Sequence, residues 1–189
     1  MKNKGFSLLE VLLVLGISII AGGLLMVIMV NSAGIFYSQS SKLQEGLDIN
    51  DTLAKFRSVI KQTKDVAATF TSGSTYNSGP TQLILRVPSI DSSNNIIADT
   101  FDHFIFYQDQ KKLILKTAPD ASSSRLAQSQ VLSTVLDNFL FQYLSSANPP
   151  VEVTPVNASK IRMTLTLKQK SGAGFQIQTA TSEANLRNN

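Results

Sequence analysis

The sequence predicts an α+β chain in which one long N-terminal helix, apolar in front and amphipathic behind, leads into an antiparallel β-rich head. Three observations carry this. From Phe6 to Val30 run about 25 residues whose only charge is Glu10, which is ~37 Å of helix and enough to cross a ~30 Å hydrocarbon layer with some tilt. Ile49, Leu53, Phe56 and Ile60 then recur at spacings of four, three and four, the stripe of a helix with one packed face. Beyond Thr81 the apolar period changes to two, the period of half-buried strands.

At the very start, Lys2 and Lys4 precede the apolar run, and no Lys or Arg occurs between Gly5 and Lys42. The positive-inside bias then places the N-terminus in the cytoplasm and most of the chain outside. Within the run Glu10 is anomalous, because a carboxylate in a membrane helix costs roughly 2.5–3.5 kcal/mol on insertion scales. The span offers it no cation. A cut after Gly5 would, since the new α-amine of Phe6, with a free pKa of ~7.7–8, would lie one helical turn from Glu10.

The segment Lys4-Gly5-Phe6-Ser7-Leu8-Leu9-Glu10, followed by an apolar helix, resembles the class III signal of type IV pilins and type II secretion pseudopilins. The resemblance implies cleavage after Gly5 by a membrane prepilin peptidase, N-methylation of Phe6 by the same enzyme, and guidance of assembly by Glu10. It also implies as partners other pilins or pseudopilins, met through the N-terminal helix, and an assembly platform in the cytoplasmic membrane. The corresponding division is a leader at 1–5 with basic residues Lys2 and Lys4, a transmembrane and assembly helix at 6–30, an amphipathic continuation at 31–68, and an extracytoplasmic head at 69–189. The competing reading is a secretory signal or plain anchor, with Asn31-Ser32-Ala33-Gly34 imitating a cleavage site. The run is too long for a secretory core, and a plain anchor leaves Glu10 unexplained.

Composition bounds the remainder. About 150 residues remain once leader and span are set aside, enough for one domain with a core. The formal charge of +4 falls to +2 when Lys2 and Lys4 leave with the leader, which is thin support for a nucleic-acid partner. Cysteine is absent, so disulfides, thiol catalysis and thiolate metal sites are excluded. That departs from the many major pilins that close a C-terminal loop with a disulfide.

The helix is predicted to run unbroken from about Phe6 to Ala68. Six of the ten glycines (Gly5, Gly16, Gly22, Gly23, Gly34 and Gly46) fall in its front part. Each interior one costs roughly 1 kcal/mol against Ala, a cost explained by close helix packing or, by resemblance, by local melting in a filament. Thr69 to Thr81 reads as a loop. Leu83, Leu85 and Val87 mark a strand closed by Pro88, and Ile90 to Thr100 reads as another loop. Phe104–Tyr107 and Leu113–Lys116 flank a turn and predict a hairpin. Arg125 to Val131 is expected to form a short helix. Phe139, Phe141 and Tyr143 give a strand with one aromatic face, which predicts core. Asn148 to Pro155 is a stiff connection. Ile161, Met163, Leu165 and Leu167 then form a strand that pairs with Phe175–Leu186 across Ser171-Gly172-Ala173-Gly174. The expected sum is a meander of about five to seven strands.

That order resembles the pilin fold. The run Leu136–Tyr143, the strand Lys160–Lys168 and the ending Ala184–Asn188 are similar to minor pilins of the group containing pseudopilin J and its pilus counterpart W, low-abundance subunits that help start or cap a filament. No enzyme is expected. The lone His103 adjoins Asp102, but neighbouring strand residues face opposite ways and cannot form a relay. No nucleophile triad, metal-ligand spacing or phosphate-cradling glycine loop occurs, so no cofactor is expected. Asp91, Asp99, Asp102 and Asp109 are scattered candidates for calcium without the spacing of a binding loop. A competence or adhesion subunit whose head contacts DNA through Lys111, Lys112, Lys168 and Lys170 is the alternative binding function.

Overall fold

A computed structural model describes residues 7–171 and 174–187, with backbone alone for residues 37, 38, 40–47 and 171. A single helix, α1 (Leu8–Gln62), precedes ten strands in antiparallel sheets. Its back half is amphipathic as the spacing predicts: Ile49, Leu53, Phe56 and Ile60 are all buried, joined by Val59. The helix stops at Gln62 rather than Ala68 because the following backbone finds better partners in a sheet. The Thr63 hydroxyl donates to the Val59 carbonyl at 2.8 Å, and Lys64 N–H donates to the Arg86 carbonyl at 2.9 Å. The chain thereby enters β1 (Asp65–Val66), paired with the next long strand.

The larger sheet has the order β1-β4-β5-β6-β7, with β4 (Gln82–Ile90), β5 (Ile96–Asp109), β6 (Lys112–Ala118) and β7 (Gln128–Ser133). The smaller has the order β10-β9-β8, with β8 (Leu136–Leu144), β9 (Lys160–Ser171) and β10 (Gly174–Asn185). Helix α1 packs on β9 and β10 and reaches β7 and β4 of the larger sheet, so one core joins both. Phe56 sits at its centre, edge-on to Phe106 at 5.9 Å and stacked on Phe141 at 6.1 Å. The expected aromatic face of β8 is this core: Phe139, Phe141 and Tyr143 are all buried. The expected hairpin is β5 on β6, and the expected C-terminal pair is β9 on β10.

Three segments differ from expectation. The predicted loop at Thr69–Thr81 contains a ribbon, β2 (Thr69–Ser72) on β3 (Ser74–Asn77), turned by Gly73 at φ +73°. The ribbon covers the Ile84 face of β4, which is buried on both faces: Phe70 stacks on His103 at 3.9 Å and Tyr76 packs by Tyr107. Most of the predicted loop at Ile90–Thr100 is strand, because β4 continues past Pro88 by a register shift and Asp91 closes the turn, accepting from Ser93 N–H and Asn95 N–H. The predicted helix at Arg125–Val131 does not form: its first three residues belong to the connection from β6, and the rest lie in the edge strand β7, whose backbone groups pair with β6. Ten strands therefore replace the expected five to seven.

Candidate membrane and assembly helix

The front of α1 begins at Ser7, whose extended backbone (ψ 149°) and side chain cap the helix. Its hydroxyl oxygen accepts from Glu10 N–H at 3.3 Å, and its carbonyl accepts from the same N–H at 3.0 Å and from Val11 N–H at 3.2 Å. Ser7-Leu8-Leu9-Glu10 thus has the spacing of a capping box, with Glu10 in the first turn where the positive end of the helix dipole favours an acid. This local role of Ser7 was not read from the sequence, although the S-x-x-E spacing announces it. Among the described residues, no hydrogen bond or ion pair reaches the Glu10 carboxylate. Lys2, Lys4, Gly5 and Phe6, the other residues of the predicted processing site, lie outside the described residues.

From Leu8 to Phe36, 29 residues with a mean hydropathy of 2.8 in the most apolar window, no part of that window is buried by the rest of the chain. Leu12, Ile17, Leu24, Val27 and Met29 are each at least 58 % exposed. A row of this size facing water would cost on the order of 1.5–3 kcal/mol per side chain, so the segment is built to be covered by lipid or by other helices. Gly16, Gly22, Gly23 and Gly34 lie along it, and a β-carbon at any of them would meet nothing within 4 Å of its own chain. Their small size is therefore free to serve a neighbour.

The head holds a second acid, and this one is fully partnered. Asp102 on β5 is buried; Ser89 Oγ and Asp120 N–H donate to its Oδ1 at 2.8 and 2.9 Å, while Ser123 Oγ donates to Oδ2 at 2.8 Å and Arg125 forms an ion pair there. Burial alone would raise its pKa, but these donors, with Asp120 N–H foremost, hold the carboxyl below its ordinary value. His103 faces the other way, onto Phe70, beside the Arg86–Asp65 ion pair; burial and the Arg86 charge push its imidazole pKa down. Two adjacent titratable groups therefore sit in different surroundings, Asp102 among its donors and His103 against Phe70. Of the calcium candidates, Asp102 is committed to Arg125 and Asp91 to its own turn. Among the described residues, no group of three or more acidic or histidine side chains is placed to share a metal.

An open cleft of about 420 Å³ is lined by Asp65, Ala68, Arg86, His103 and Val156. It lies at the end of the head where α1 terminates. The four candidate DNA-contacting lysines lie at the opposite end. Lys111 lies in the β5–β6 turn, where its carbonyl accepts from Leu136 N–H, and Lys112 opens β6; Leu136 pairs with Leu167, next to Lys168. Neither a family model nor a curated protein matches this chain.

Proposed function

We propose that the chain is a minor pilin or pseudopilin subunit of a type IV pilus-like or type II secretion filament, inserted as a single-pass precursor with its head outside the cytoplasmic membrane. Its head has a structural role and no catalytic one. The observation that supports this most is the front of α1: a 29-residue apolar segment that none of the described residues covers, opening on one acid and continuing without a break into a helix that anchors the head. A long helix rooted in a β-rich head is the arrangement of the pilin fold. Lipid covers the segment in the precursor, and neighbouring helices cover it in the filament, so it stays out of water in both states. Cleavage after Gly5 frees the Phe6 amine, and Glu10 pairs first with that amine and then with the amine of an adjacent subunit.

The Ser7-x-x-Glu10 spacing supports a second reading, a plain anchor in which the Glu10 side chain turns back to the Ser7 N–H, a bond not made among the described residues, where Ser7 Oγ alone caps the Glu10 N–H. The two readings separate on Glu10→Gln. Glutamine serves at the third position of a capping box as glutamate does, but it carries no charge. In the native host, both Glu10→Gln and Glu10→Ala should be processed to a chain whose intact mass begins at methylated Phe6, and both should fail to enter filaments. Incorporation of the Gln variant at the level of the parent would leave capping as the role of Glu10, and a native chain that retains Met1 through Gly5 would remove the proposal.

A further inference from the structure

The head has two unlike sides at one height. Helix α1 packs on the face of β9 and β10 that carries Leu165, Leu167, Ala180 and Ala184. The alternate residues Lys168, Lys170, Phe175, Ile177 and Thr179 therefore stand on the face turned away from the helix. Around α1 itself, Ile49, Leu53, Phe56 and Ile60 face the core, and Asp51 is set about 200° from Ile49, on the side turned away from the sheet. Ala54 and Ser58 continue that side, and all three residues are exposed. Two bonds fix the heights. Thr52 Oγ1 donates to the Leu132 carbonyl at 3.0 Å, and Lys168 N–H donates to the Val135 carbonyl at 2.9 Å, which sets Lys168 and its ladder partner Ile177 level with Thr52. That level is ~24 Å beyond Phe36, the end of the apolar segment, and Phe175 and Lys170 stand ~17 Å beyond it. Asp51, at ~22 Å, falls between the two pairs.

The two sides are opposite in charge. Lys168 and Lys170 are exposed, and no acid occurs between Leu167 and Ser182. The acids of this sheet are Asp137, in the β8 bulge, and Glu183, which Arg162 and Lys160 take up. The helix has the reverse bias: from Leu43 to Ala54 it carries Glu45, Asp48 and Asp51 and no base. Among the described residues, no hydrogen bond or ion pair reaches the Asp51 carboxylate. Beside the two lysines the sheet face leaves Phe175 and Ile177 67 % and 61 % exposed, although Lys168 Nζ lies 5.0 Å from the Phe175 ring centre.

We propose that a second copy of this chain, standing in the same orientation in the same bilayer, sets the exposed side of its α1 against the β9–β10 tip of the first, with its Asp51 between Lys168 and Lys170 and its Ala54 against Ile177 and Phe175. A bilayer allows neighbours to differ by a rotation about its normal and a sideways shift, so groups at equal height on one chain stay at equal height on two. The acid and the lysines meet without either head rising or sinking. Since the contacting surfaces lie on opposite sides of the head, the contact is heterologous and repeats as a row instead of closing as a twofold pair. The inference rests on α1 spanning a bilayer as proposed; it needs neither cleavage after Gly5 nor entry into a filament.

The chain contains no cysteine, so single cysteines report contacts without background. Thr179→Cys on the sheet side and Ala54→Cys on the helix side leave every charge in place. In the full chain reconstituted in phosphatidylcholine vesicles, a short bis-maleimide should join a mixture of the two variants into dimers and the double variant into a ladder of longer rows. A mixture of Thr179→Cys with Val156→Cys, at the distal end of the head, sets the random level. Asp51→Lys in the Ala54→Cys chain should lower the mixed dimer roughly threefold, and Lys168→Asp with Lys170→Asp in the Thr179→Cys chain should then restore it. Mixed crosslinking at the random level overturns the proposal, as does crosslinking that ignores both charge changes. Thr179→Cys joined to itself as readily as to Ala54→Cys assigns the tip to a closed twofold contact and also overturns it. Val27→Cys tells these outcomes from failure of the span. Shielding of that cysteine from an aqueous maleimide reports an inserted helix, and labelling as fast as at Val156→Cys overturns the proposal through the span on which it rests.

Discussion

The front of α1 and the head each set one carboxylate among apolar side chains, and only the head supplies its partners. Asp102 receives Ser89, Asp120, Ser123 and Arg125 from two elements of its own fold. Glu10 receives a helix cap and nothing else among the described residues. The same asymmetry holds for the apolar surface: Phe56 is covered on every side, whereas Leu12 is 62 % exposed. A domain that completes its own interior lies next to a segment that the described residues leave uncovered. One covalent helix therefore has two halves of opposite exposure.

The comparison breaks first on Phe56. Phe56→Ala removes the ring between Phe106 and Phe141 and should cost about 3–5 kcal/mol of head stability in denaturant unfolding of the detergent-solubilised chain. Leu12→Ala should leave that stability unchanged. Equal losses would mean that the front of the helix also packs on the head.

A smaller effect sharpens the contrast between the two acids. Arg125→Met takes away the ion pair of a buried Asp102 but leaves its three other donors, so about 2–3 kcal/mol of loss at neutral pH is expected, less than for a stranded charge. The pH dependence follows from the depressed native pKa. The stabilisation from Asp102 is fully present above its unfolded value of about 3.9 and is lost as pH falls through the lower native one. Arg125→Met raises that native value, so the stabilisation it still gives is smaller and is spent at higher pH as the variant is acidified. An unfolding midpoint followed from pH 7 downward tests this, and parallel curves for parent and variant would refute the role of Arg125.

What could be read in advance follows the same division. The helical stripe and the β9 strand are periodic over many residues with one face buried, and periodicity reports burial of one face, whereas the β5–β6 hairpin, buried on both faces, is legible from two apolar runs flanking a polar turn. Strand β4 is buried on both faces, Leu83, Ile84 and Leu85 alike, so its alternation concealed the need for a cover, and Phe70 and Tyr76 went unrecognised as that cover. Strand β7 carries one weak apolar pair in a polar sequence, and only its partner β6 decides its conformation. Glu10 was legible because a charge in an apolar run is conspicuous without any fold. The Asp102 cluster was not, because Ser89 is brought to it by strand β4 and Asp120 and Arg125 by the β6–β7 connection, a meeting that no spacing records.

The smallest expected effect bears on the front of the helix alone. Ser7→Ala deletes the side-chain cap and should cost about 1 kcal/mol, felt within the first turn. Amide exchange at Leu9 to Leu12 should rise about fivefold, which is that energy expressed as a rate ratio, while the denaturation midpoint of the head stays in place. Because Ala at this position leaves the charge of Glu10 intact, the variant isolates capping from pairing, the complement of Glu10→Gln. If capping were the whole role of the first turn, Ser7→Ala would lower filament incorporation as far as Glu10→Ala does. If charge pairing is what matters, incorporation survives the loss of the cap, since a frayed first turn still leaves the carboxylate within reach of an amine one turn away.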